Sequence, residues 1–79
     1  MDTEEKVYKI ISQIMNYPVE KINAESAPDS IDTWDSMSAM NLVLALEEAF
    51  DMQFEDEHLM EMMNAGLIVA VIKELQAAN

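Results

Sequence analysis

Cysteine and arginine are absent from the 79 residues, and there is one glycine, one histidine, one tryptophan and two prolines. Each scarcity excludes something. Without cysteine there is no disulfide framework and no thiolate metal site, and the chain suits a reducing compartment. Without arginine, and with only four lysines, the phosphate contacts that hold a nucleic acid are missing, so no nucleic acid is expected as partner. The longest apolar run, Leu67 to Ile72, is far short of the roughly 20 residues of a membrane span. Met1-Asp2-Thr3-Glu4-Glu5 is acidic, unlike the basic-then-apolar opening of a secretory signal. A cytoplasmic, monomeric chain with no membrane insertion is expected.

What is abundant is negative charge. Sixteen Asp and Glu give a formal charge of −12, which favours basic protein partners and speeds encounter with them. Hydrophobic residues make up 51%, enough for a packed core in a single domain spanning residues 1–79. A core of that size supplies only about 3–5 kcal/mol of net stability.

In chain order, Asp2 and Glu5 have capping-box spacing. Val7, Ile10, Ile11 and Ile14 then recur at helical spacing, flanked by Tyr8 and Met15. A first helix is predicted over residues 3–15, ended by Asn16-Tyr17-Pro18, since a proline pushes its predecessor out of helical geometry. Residues 16–35 carry Pro18, Pro28 and many turn formers. They are expected to cross the bundle as a long loop, pinned by Val19, Ile22 and Ile31, with a short helical turn near Pro18 to Ile22. Helix two is predicted over Ser36 to Phe50, a short helix over Asp56 to Met62, and a last helix capped by Asn64. The last helix places Ala65, Ile68, Val69, Ile72 and Leu75 on one face. No period-two strand pattern occurs. The expected fold is all-α: three main helices plus one short helix, with a long loop between helices one and two.

At roughly 100° per residue, Ala39, Leu42, Val43, Leu46 and Phe50 form the core stripe of helix two. Met37, Met40 and Leu44 fall in another sector with Asn41, Glu47 and Glu48. Two readings of that sector stay open. It is buried by the loop or the short helix, Met40 first; or it is an exposed apolar strip set among acids, a docking surface for which adaptable methionine is well suited.

Ser36 stands where the polar loop meets helix two. As a nucleophile it would need a base and an oxyanion hole, yet His58 is the only histidine and no G-x-S-x-G surrounds the serine. Asp29, Asp32 and Asp35 lack the spacing and the turn glycine of a calcium loop, so no metal site is expected. By itself an Asp-Ser pair is an ordinary helix start.

Trp34-Asp35-Ser36-Met37, opening an amphipathic helix that ends Leu46-Glu47-Glu48-Ala49-Phe50, resembles the acyl carrier protein and carrier-domain family. Its core signature is Asp-Ser-Leu; Met37 replaces the leucine at similar volume. The likeness covers nearly the whole chain, including the long loop and the Asn64-Ala65-Gly66 helix start. It implies a non-enzymatic carrier. A phosphopantetheinyl transferase would attach 4′-phosphopantetheine covalently to Ser36, whose phosphodiester would meet the free N–H groups of the helix N-terminus. The thiol of the arm would hold acyl or aminoacyl groups as thioesters for acyl-loading, synthase or acyltransferase enzymes with basic and apolar docking patches, in fatty-acid, polyketide or related specialised biosynthesis. Asp35 would cap the helix and be read by the transferase. Met37, Met40, Leu44, Glu47 and Glu48 would be the docking residues. Met40, Leu46, Met52, Met60, Met62 and Met63 would line an acyl pocket. Two features depart from the fatty-acid type: Ser38 and Asn41 stand where many such carriers are acidic, and Trp34 before Asp-Ser is more similar to D-alanyl or peptidyl carriers. The reading from another class is an acidic helical adaptor without a prosthetic group.

The charge predicts that millimolar Mg²⁺ or Ca²⁺ raises the melting temperature by relieving self-repulsion. A melting temperature that stays put on titration with either ion would remove this expectation.

Overall fold

The computed structural model describes residues 2–78, all-helical as expected: α1 (Thr3–Met15), α2 (Ser36–Phe50), α3 (Asp56–Glu61) and α4 (Ala65–Ala78), with a single 3₁₀ turn, Val19–Lys21, in the long loop. α1 is the hub and packs against both α2 and α4, while α3 leans on α4. One core joins Val7, Ile11 and Met15 of α1, Leu42 and Leu46 of α2, and Ile68, Val69 and Ile72 of α4.

α1 forms because Asp2 accepts the Glu5 N–H at 2.9 Å and because Val7, Ile11 and Met15 share one buried edge at i, i+4, i+8. Met15, expected at the flank, is fully inside, and Ile10 and Ile14 are half-buried. The helix stops at Asn16, in left-handed geometry at φ 53°. The N–H groups of Asn16 and Tyr17 both turn back to the Ser12 carbonyl, a hydrogen-bonded stop that precedes any effect of Pro18. α2 ends the same way, at Asp51 with φ 51°. There Lys6 reaches across from α1, donating to the Ala49 carbonyl at 3.0 Å and lying 4.7 Å from the Phe50 ring centroid. A cation thus meets the negative end of α2 and an aromatic face at once.

The long loop is tied down along its length. Ile22, Ile31 and Trp34 are buried in the core, whereas Val19, expected to pin it, is 40% exposed. The Thr33 hydroxyl donates to the Met15 carbonyl at 2.6 Å, and short turns close at Asn23–Ser26, Ala27–Ile31 and Ile31–Trp34. The strongest tie is to the start of α4. Asn64 accepts the Leu67 N–H at 2.8 Å, while the Ala65 and Gly66 N–H groups donate to the Ser26 and Ala24 carbonyls at 2.8 and 2.9 Å. The N–H groups that a helix start leaves unpaired are here the anchors of the loop. This approach requires glycine. A Cβ on Gly66 would lie 2.9 Å from the Ala24 carbonyl oxygen and 3.0 Å from its Cβ.

On α4, Val71 is buried in addition to the expected face, and Leu75 is only half-buried. α3 ends at Glu61, one residue before the expected boundary. His58 on α3 is engaged: its Nδ1 accepts the Glu55 N–H at 3.1 Å.

Gly66→Ala is expected to cost about 1–3 kcal/mol, the usual penalty of forcing atoms into a filled space. It should lower the urea midpoint with little change in m. A midpoint equal to that of the parent chain would show that the loop yields freely.

Candidate functional site

The site is the junction of the long loop with α2. Trp34, 5% exposed, anchors the last residues of the loop, and its N–H bonds to the Ile31 carbonyl at 3.0 Å. The next residue leaves the core. Asp35 is extended and caps α2: one carboxylate oxygen accepts the N–H groups of Met37 and Ser38, each at 3.0 Å. Ser38 reciprocates, its hydroxyl accepting the Asp35 N–H at 2.8 Å and donating to the Thr33 carbonyl at 2.6 Å. This is a closed capping box with aspartate and serine in the two roles. The Ser38 N–H holds the Asp35 carboxyl below its ordinary value, helped by the Met37 N–H.

Ser36 is the first residue of α2 and is exposed. Of the five serines, Ser12, Ser26, Ser30 and Ser38 all have hydroxyls engaged in hydrogen bonds. Among the described residues, Ser36 is the one serine whose hydroxyl makes no hydrogen bond. It opens onto a shallow depression of about 350 Å³ shared with Pro28, Trp34, Asp35 and Ala39. A hydroxyl that is exposed, unengaged and rigidly based fits a group that must be attached from outside.

The helix N-terminus differs from expectation in one respect. Asp35 already takes the N–H groups of Met37 and Ser38, and the Ala39 N–H bonds to the Asp35 carbonyl at 2.8 Å. The donors that would cradle a phosphodiester on Ser36 are therefore largely spent on the aspartate, whose own charge repels a second anion.

The outward face of α2 is exposed. Met37, Met40 and Leu44 are 78%, 64% and 60% accessible, so Met40 does not turn inside as the buried reading required. Leu44, Glu47 and Glu48 border a groove of about 510 Å³ with Asp51, Met52 and Gln53. Glu47 is partly occupied within the chain, its carboxylate accepting the Phe54 N–H at 2.9 Å. The six residues expected to line one acyl pocket do not share one environment. Leu46 is fully buried and Met52 and Met62 pack against the core, while Met40, Met60 and Met63 are exposed. The core stripe of α2 claims Leu46, α3 leaves Met60 in solvent, and Met63 is exposed in the turn between α3 and α4. Among the described residues no cluster of acids and histidine is arranged to hold a metal ion, and no helix is long and apolar enough to cross a membrane.

Residues 5–72 match the family described as the phosphopantetheine attachment site. The chain belongs to the acyl carrier, phosphopantetheine-binding family. It is similar to the acyl carrier protein of Buchnera aphidicola subsp. Schizaphis graminum, with 44% identity over 57 residues and 71% of each chain covered. The acyl carrier protein of Akkermansia muciniphila is 32% identical over 73 residues, covering 92% of this chain and 91% of that one. Among solved structures, the holo acyl carrier protein of Geobacter metallireducens superposes with a TM-score of 0.86 at 27% identity, over 99% of this chain and 90% of that one. Members of the family are carriers, not enzymes, and bear covalent 4′-phosphopantetheine. They work through transferase and synthase enzymes. Sequence reasoning missed Ser38 as the reciprocal cap, although its spacing of three from Asp35 is the signal of a capping box.

Because the Asp35 carboxyl lies below its ordinary value of 3.8, its charge contributes stability above that pH, lost as pH falls through the lowered folded-state value. Asp35→Asn keeps a good cap but cannot titrate. The stability margin of the parent chain over this variant, read from urea midpoints, should be present at pH 7 and shrink toward pH 2. A margin independent of pH would contradict the assigned role.

Proposed function

We propose that Ser36 is the attachment residue and that the chain carries acyl groups for fatty-acid, polyketide or related specialised biosynthesis. The observation that carries this is the exposed, uncommitted Ser36 hydroxyl at the first position of a helix whose start is locked by Asp35 and Ser38. In the transfer, the Ser36 Oγ bonds to the pantetheine-side phosphorus of coenzyme A. The bond from that phosphorus to the bridging oxygen breaks, 3′,5′-adenosine bisphosphate leaves, and the hydroxyl proton passes to a base of the transferase. Once attached, the group supplies a thiol that holds its cargo as a thioester. The chain's own residues provide position: Trp34 roots the junction in the core, and the Asp35–Ser38 box fixes the direction in which the Ser36 side chain leaves. With the nearby N–H groups spent on Asp35, the arm is held by its one covalent bond and is free to swing.

Asp35 also serves as a recognition feature for the transferase. Partner enzymes dock on Met37, Met40 and Leu44, with Glu48 and the free part of Glu47 meeting basic residues. Leu46, Met52 and Met62 supply the inner apolar surface that an acyl chain could meet, and Met40, Met60 and Met63 its mouth. The domain acts as a monomer in the cytoplasm. A second reading, D-alanyl or peptidyl carrier, is favoured by Trp34 before Asp-Ser and by the uncharged Ser38 and Asn41 on the first turns of α2.

Incubation with coenzyme A, Mg²⁺ and a broad-specificity phosphopantetheinyl transferase should add the mass of one phosphopantetheine group, and Ser36→Ala should abolish the gain. No gain with several transferases would favour the adaptor without a prosthetic group. Met37→Glu or Leu44→Glu should slow delivery to partner enzymes severalfold while leaving stability nearly unchanged, within about 0.5 kcal/mol, as for exposed positions generally. Marked unfolding of either variant would instead make that face part of the core.

A further inference from the structure

We infer that the exposed methionines, led by the Met37–Met40 pair beside Ser36, are a site of reversible oxidation by peroxide that weakens docking without unfolding the chain. This rests on the proposed docking role of α2. The chain has no cysteine, so its eight methionines hold all of its own sulfur. The seven among the described residues fall into distinct environments. Met15 is 1% exposed in the core, Met52 and Met62 pack half-buried against it, and Met37, Met60, Met63 and Met40 are 78%, 77%, 68% and 64% exposed. Met37 directly follows Ser36, and Met40 stands three residues further on the same exposed face of α2.

Exposure decides which sulfur peroxide reaches, and burial decides what oxidation costs. The thioether sulfur gives two electrons to hydrogen peroxide and gains one oxygen, and water leaves. The product sulfoxide is polar where the thioether was apolar. In the core at Met15 that change would disrupt packing. On Met37 and Met40 it leaves the fold intact, because neither belongs to the buried core. It does remove the apolar, adaptable character that suits the strip to partners. A sulfoxide reductase, drawing two electrons from a thiol donor, returns the thioether and releases water.

The test uses the apo chain, so that no prosthetic thiol competes for oxidant. Limiting hydrogen peroxide is followed by peptide mapping, melting temperature and the rate of phosphopantetheine loading by a transferase. Met37, Met40, Met60 and Met63 should be oxidised well before Met15, with the melting temperature retained. The loading rate should fall severalfold and recover after treatment with methionine sulfoxide reductases of both epimer specificities. In Met37→Leu/Met40→Leu, peroxide should change the loading rate little from that variant's own starting value. Oxidation in an order unrelated to exposure, loss of the fold along with loading, or an oxidised chain that loads as fast as the untreated one would each overturn the inference. An untreated chain that accepts no group at all would instead defeat the carrier reading, and mapping and melting would still decide the oxidation itself.

Discussion

The close approach of α4 to the long loop is the constraint on which the arrangement depends. A twenty-residue connection with only one short 3₁₀ turn is unusual in so small a domain, and a loop that long must be held by something. Here it is held by the donors that every helix start leaves unpaired. Ala65 and Gly66 give their N–H groups to Ser26 and Ala24, and the absence of a side chain at position 66 lets the two backbones meet. The other end of the loop is fixed by Ile31, Trp34 and the Thr33–Met15 bond. Ser36, the proposed attachment residue, therefore follows a segment held at its middle and at its end.

The two ends of α2 are secured by different chemistry. The start is closed by a reciprocal Asp–Ser cap, and the end by a lysine that meets both a helix carbonyl and an aromatic face. Leu42 and Leu46 hold the middle. Met37, Met40 and Leu44 on the outward side lie outside that core. That division lets one element serve as core and as display surface.

Much of this was legible in the sequence. The bounds of α1 and α2, the all-helical class, the cap at Asn64 and the Asp-Ser junction follow from periodicity, capping residues and family likeness. What was not legible depends on the third dimension. Nothing in the spacing of Met40 says whether the loop lies over it, and it does not. Val19 does not take the pinning role expected of it, and Trp34, for which spacing gave no such role, is buried with Ile22 and Ile31. The six residues read as one acyl pocket fall in different environments, because position in the fold, not residue type, separates the buried Leu46 from the exposed Met60 on α3 and Met63 in the turn after it. The left-handed stop at Asn16 was hidden behind a proline that offered a simpler explanation. The donors at the start of α2 looked available until the aspartate and serine beside Ser36 were seen to use each other.

The exposed strip of Met37, Met40 and Leu44 also bears on how such a chain can change over generations. Substitutions at positions that contribute nothing to the core cost the fold little, so, on the proposed docking role, this face can vary under selection by partner enzymes. The core and the anchored loop cannot. A fold shared at a TM-score of 0.86 with only 27% identity is compatible with that separation. An organism that duplicates such a carrier could retarget the copy by altering a few side chains along one helix and leaving its foundations untouched.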